Sequence, residues 1–258
     1  MASVRLTMDV RDQGWQEGAS LDRISELLDD GGNLLWLDIR DPGPAELELL
    51  RREFGFHELA LEHVEQRHQR PRCIPFSGYC FMVVYTAEHT GDELVPQELQ
   101  LFWGPNYLVT IHRGVLAVLD EARRRWQSHE SRRPDGVGYL VYTLFDSLVD
   151  TYFTLQDWVG ERVDATEEAI LAGDRRAGGD IFKLRKQLVD IRRLTAPTGD
   201  VLAEALRRHP SLPETLRPYF ADVQTTARTC SASWRPMAPC CLRRSTSTPR
   251  PGSVGSAS

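Results

Sequence analysis

Carboxylates are the groups this chain offers most openly for chemistry. At about 100° per residue on a helix, Asp146, Asp150, Asp157, Glu161, Asp164 and Glu168 fall within a stripe roughly 60° wide. Like charges stacked this way repel, so the stripe must face solvent, meet basic groups or bind cations. A hard divalent ion such as Mg²⁺ suits oxygen ligands, keeps several waters and needs only one or two protein carboxylates. Other chemistries lack their residues. His57 and His63 stand six apart, about 240° round a helix, whereas a zinc pair needs the four-residue spacing that shares a face. Gly14-x-x-x-Gly18 lacks the Lys-Ser/Thr of a phosphate-cradling loop. Neither Cys73 nor Cys80 sits in a Cys-x-x-Cys pair, and Ser77-Gly78 lacks the glycine pattern of a nucleophile elbow. No nucleophile and base can be named, so cation handling rather than enzymatic catalysis is expected.

The elements that carry these residues follow from periodicity. From Val137, apolar residues recur at Leu140, Val141, Leu144, Leu148, Tyr152, Leu155, Val159, Val163 and Ile170, which predicts one long amphipathic helix. A glycine-rich turn over 172–179 leads to a second arm. There Ile181, Leu184, Leu188, Ile191 and Leu194 form the apolar stripe, and Lys183, Arg185, Lys186, Arg192 and Arg193 supply base. Together they predict an antiparallel hairpin over 136–208 in which base partly neutralises acid, both faces being ordinary solvated surface on the simplest reading.

Before the hairpin, strand-like stretches at 4–10, 33–39, 79–87, 97–103 and 107–112 alternate with helix-like ones at 21–28, 44–54, 57–66 and 115–129. Ser20 is the candidate N-cap for the first helix, and Asp41-Pro42-Gly43-Pro44 begins the second. The expected fold class is α/β: a mixed β-sheet flanked by helices, an αβα sandwich over residues 1–130. The hairpin follows, and then the start of a stalk helix over 211–223, where Ser211-Leu212-Pro213-Glu214 has capping-box spacing. Residues 224–258 hold no Asp or Glu, five Arg, and much Ser, Thr and Pro; this stretch reads as disordered.

Composition narrows the partners. The chain has 258 residues, 41% hydrophobic and 26% charged, which is ordinary for a globular protein. Without the tail, 26 basic residues face 37 acidic ones. That balance argues against a nucleic-acid partner, whose phosphate backbone needs clustered Lys and Arg, and favours cationic partners. Two cysteines in the body are too few for a disulfide scaffold and fit a reducing cytosol. The N-terminus lacks a signal-peptide core, and no apolar run approaches the roughly 18 residues of a membrane span.

Five blocks in order carry a resemblance: LALEHVEQRHQRP (59–71), GPNYLVTIH (104–112), YLVYTLFDSLVDTYF (139–153), LRKQLVDIRRLTAP (184–197) and LRPYFADV (216–223). Together they resemble the CorA-type magnesium and cobalt channels over roughly residues 4–223. The resemblance implies a cytoplasmic funnel of an α/β domain plus helices, assembled as a homopentamer on the inner face of the cell membrane. A long stalk helix then runs into two membrane helices. It further implies Mg²⁺ or Co²⁺ as regulatory and transported ion, bound between subunits so that the pore is held shut. The positions matching the family's inter-subunit ligands are Glu62 and His63, Asp146, and Asp222.

Two departures stand out. His63 occupies a position where the family usually has Asp, and imidazole favours transition metals over Mg²⁺. After Asp222-Val223 the stalk, the pore helix ending in Gly-Met-Asn and the second membrane helix do not follow, which suggests a frameshift or truncation. Reading the DNA in all three frames past codon 223 tests this, since the missing stalk must then reappear in another frame. The expected function is the cytoplasmic metal-sensing part of a divalent cation channel. The alternative is a soluble interaction or regulatory protein that retains the fold.

Overall fold

The computed structural model describes residues 2–233 apart from 12, 19, 92, 129–134, 175 and 209–211. Its strands are β1 (Ser3–Val10), β2 (Gly14–Glu17), β3 (Leu34–Arg40), β4 (Arg72–Phe76), β5 (Tyr79–Thr90), β6 (Glu93–Trp103) and β7 (Tyr107–His112). They form one seven-stranded sheet in the order β2-β1-β3-β7-β6-β5-β4. The pair β3–β7 is parallel and the other pairs are antiparallel, so the sheet is mixed. The two strands absent from the sequence reading, β2 and β4, are its edges. One is four residues long and the other carries Pro75; proline is tolerated at an edge because no neighbour needs its missing N–H.

Alternation along the central strands divides the core. Leu35, Leu37, Ile39, Phe81, Val83, Val109 and Ile111 face one side, covered by α1 (Ile24–Asp29), α2 (Pro44–Phe54) and α3 (Glu58–Glu65). Trp36, Met82, Val84, Leu99, Leu101 and Leu108 face the other, under α4 (Ala117–Ser128), α5 (Gly136–Leu171), α7 (Thr198–Arg208) and α8 (Arg217–Ser233). Each aliphatic side chain so buried contributes about 1.5–3 kcal/mol, which is why both layers hold to the sheet. The result is the expected αβα sandwich. At the start of α2 the Glu46 carboxylate accepts from the Gly43 N–H at 2.8 Å. At its end Gly55 adopts φ 63°, a left-handed cap that glycine enters without a Cβ clash. Ser20, by contrast, makes no side-chain cap, and a 3₁₀ turn at Leu21–Arg23 precedes α1.

At 36 residues, α5 is about 54 Å long at 1.5 Å per residue. Its first half, Val137 to Leu155, is embedded in the sandwich. Beyond it α5 pairs with α6 (Ala177–Thr195), where Leu94, Leu155 and Ile191 form a separate small core with Leu188 and Val159. The second arm is not one helix to residue 208. It breaks at Ala196-Pro197, because proline has no N–H to continue the ladder, and α7 then turns under β4 and β5.

The chain's end also differs from the sequence reading. The turn Glu214–Leu216 opens α8, and Ser211, the expected cap, lies outside the described residues. Order does not stop at Val223: α8 continues to Ser233. Leu216, Phe220, Val223, Ala227 and Cys230 are all buried at intervals of four, three, four and three, the amphipathic helical spacing. The period was present in the sequence but carried by small residues among Thr, Ser and Arg. Residues 234–258, the rest of the expected disordered tail, lie outside the described residues.

Candidate functional site

On the helical layer, Asp146 of α5 feels the charge of Asp222 of α8. Asp146 is half-buried on α5, and its Oδ2 accepts from Arg125 Nη1 of α4 at 3.0 Å. The same guanidinium reaches Asp150 Oδ2 at 2.9 Å and Glu121 Oε1 at 2.7 Å. One cation therefore serves three carboxylates. Burial pushes the Asp146 carboxyl above its ordinary range, the charge of Asp150 adds to this, Arg125 opposes it, and Asp222 of α8 raises it further. Tyr142 lies in the same field: its phenol is pushed up to about 12 by burial, then by Asp146, with a smaller part from Asp222. The ring of Tyr142 also packs edge-on to Tyr219 at 5.3 Å.

Here the fold brings Asp146 and Asp222 into one electrostatic neighbourhood from positions far apart in the chain. Arg125 was not among the residues singled out from sequence. Its signal is the Glu121-x-x-x-Arg125 spacing on α4, which marks an ion-paired helix face but not the second and third partners of Arg125.

Glu62 and His63 lie elsewhere, on α3 across the sheet. Glu62 is exposed. His63 is half-buried, stacks on Phe81 at 5.7 Å, and its Nδ1 lies 3.1 Å from Arg72 Nη2. A guanidinium can only donate, so Nδ1 accepts and the ring proton sits on Nε2. Metal binding at Nε2 would need the other tautomer and would lose this bond, and the neighbouring cation repels a metal ion. The imidazole therefore does not fit a transition metal in this arrangement. Among the described residues, no three His, Cys, Asp or Glu side chains gather closely enough to hold a metal by themselves. A hydrated Mg²⁺ needs only one or two protein carboxylates, so the absence of such a cluster does not exclude one.

The family is decided by a match over most of the chain: a family model described as CorA-like Mg²⁺ transporter protein fits residues 31–234. The chain belongs to the CorA-like family. It is 32% identical over 176 residues to the cobalt/magnesium transport protein CorA of Thermotoga maritima, covering 66% of this chain and 50% of that protein. It is 30% identical over 192 residues to YfjQ of Bacillus subtilis, named as a candidate metal ion transporter, covering 73% of this chain and 59% of the relative. The chain thus spans between half and three fifths of the length of these relatives. The fold matches the soluble domain of CorA from Methanocaldococcus jannaschii with a TM-score of 0.72 at 19% identity, covering 90% of this chain and 92% of that one. Among the described residues no helix is long and apolar enough to cross a membrane. The CorA-like family is a family of divalent cation transporters, and the described residues share the fold of the archaeal CorA soluble domain.

Proposed function

We propose that this chain is the metal-sensing part of a CorA-like Mg²⁺ or Co²⁺ channel, working at the cytoplasmic face of a membrane and assembling as a homopentamer. The observation that carries the reading is the under-neutralised carboxylate group at Asp146. Its proton affinity is raised by burial and by two neighbouring acids, one of them Asp222. A hydrated divalent cation seated there relieves that repulsion. Glu62 is free to add a carboxylate from an adjacent subunit, while His63 stays with Arg72. Loss of the ion restores the repulsion between subunits and loosens them, which is how the metal level reaches the pore.

The test is thermal unfolding of the chain at concentrations that permit oligomers, with and without Mg²⁺ or Co²⁺. Binding to the folded state must raise the melting temperature, and Asp222→Ala must shrink the shift. A melt indifferent to both ions refutes metal sensing.

A further inference from the structure

A second charged site lies at the carboxyl ends of β3 and β7, beside α4. The strands β3 and β7 are the only parallel pair among the described residues, and open α/β sheets bind ligands beyond the carboxyl ends of such strands. A cavity of about 190 Å³ lies there, with Arg5, Asp38, Arg40, His112, Asp120 and Arg123 in its wall. We propose that this cavity binds a phosphate group.

Its donors are built in and incompletely used. Arg123 is 2% exposed, lies over the Trp36 ring at 4.4 Å, and sends Nη1 to Asp120 at 3.2 Å. Its Nη2 reaches Asp38 Oδ2 at 3.5 Å, and its Nε is buried without a partner. His112 is 5% exposed with Nε2 3.3 Å from Asp38 Oδ1, and its Nδ1 is also buried without a partner. Arg40 is half-buried in the same wall, and its side chain makes no ion pair or hydrogen bond among the described residues. The two carboxylates are already engaged. Asp38 accepts from Thr110 Oγ1 at 2.5 Å as well as facing His112 and Arg123, and Asp120 is shared by Arg5 and Arg123.

Arg5 is held by Glu17 as well as Asp120 and Arg123 by Asp38 and Asp120, so Arg40 is the uncommitted charge in the wall. The planar arginine fork suits phosphate oxygens. The volume is below the roughly 300 Å³ at which pockets for drug-sized ligands begin, so the phosphate enters and any nucleoside stays outside.

Isothermal titration of the full chain in EDTA, with sodium phosphate against chloride at matched ionic strength, tests the site without any divalent ion, so its failure is separate from that of the metal-sensing reading. Phosphate binds above the chloride control. Arg40→Gln weakens it by about tenfold or more, the loss of one charge-assisted contact. Arg113→Gln, in the wall of the neighbouring cavity, leaves it unchanged. Circular dichroism checks that both variants are folded. Titration with AMP identifies the source: binding at least as tight as phosphate assigns the site to a nucleotide phosphate, and exclusion of AMP while phosphate binds assigns it to the free ion. No phosphate binding, or equal weakening by the two variants, overturns the proposal.

Discussion

Asp38 and Asp146 each contact an arginine, yet their acidities move in opposite directions. The side chain of Asp38 is 13% exposed and that of Asp146 is 32% exposed, so burial alone predicts that Asp38 is the weaker acid. Burial does push Asp38 up, but the interactions with His112, Thr110 and Arg123 outweigh it and hold the carboxyl below its ordinary value. Asp146 has one arginine, shared with Glu121 and Asp150, and acids nearby. The number of donors per carboxylate, rather than depth, sets the sign. The sheet site neutralises its own carboxylate; the helical face leaves its carboxylates under-neutralised, the charge that the proposed function assigns to an ion.

The largest test of this contrast is deletion. Asp38→Ala leaves the buried Arg123 guanidinium with Asp120 alone and takes the carboxylate from His112, which costs about 3 kcal/mol, the low end for breaking a buried pair. Asp146→Ala removes one of three half-exposed partners of Arg125 and costs about 1 kcal/mol or less. Chemical unfolding of both variants measures this, and equal losses would erase the distinction. Next in size is the response to metal: Mg²⁺ at a hundred times its Kd adds about 2.7 kcal/mol. Asp146→Asn should lose most of that increment and Asp38→Asn should keep it, as read from melts with added ion.

Acid titration reads the signs directly. The folded-state value of Asp38 is lowered, so its stabilisation is complete above its unfolded value and is lost as pH falls through the folded one. For Asp146 the folded value is raised. Its favourable contribution exists below the unfolded value and disappears as pH rises through the folded one. Stability followed from pH 7 downward should therefore fall less steeply in Asp38→Asn than in the unaltered chain. In Asp146→Asn it should fall more steeply. Smallest is Arg125→Gln, whose ion pairs are half-exposed: stability drops by less than about 1 kcal/mol. Mg²⁺ binding tightens because a competing cation has gone, and a calorimetric titration that shows weaker binding instead would assign Arg125 a positioning role.

Much of the fold was legible because its signals are local and strong. The limits of β7 coincide with the sequence reading, and the apolar stripe of α5 is buried from Val137 to Leu155. Legibility failed where the signal was weak or borrowed. The edge strand β4 owes its pairing to β5 rather than to its own alternation. Beyond Val223, the buried residues of α8 among those described are Ala227 and Cys230, whose small side chains add little to a hydrophobic pattern yet fill a core when α5 and α7 lie against them. At the candidate metal face, periodicity placed Asp146 on an acidic stripe. It paired that stripe with the bases of α6, whereas the acids nearest the sheet meet Arg125 of α4.

By itself the sequence determined the element types, the sandwich with its long hairpin, the family, and the excess of carboxylates that makes cations the natural ligands. These follow from spacing and composition, which act over a few residues or over the whole chain. Only the tertiary structure decided which charges meet. It brought Asp222 toward Asp146 across 76 positions, gave one arginine to three acids on the helices, and gathered His112, Thr110 and Arg123 around Asp38 at the end of the sheet. Ionisation depends on the few ångströms around a carboxylate, and those neighbours come from elements that the chain order keeps far apart.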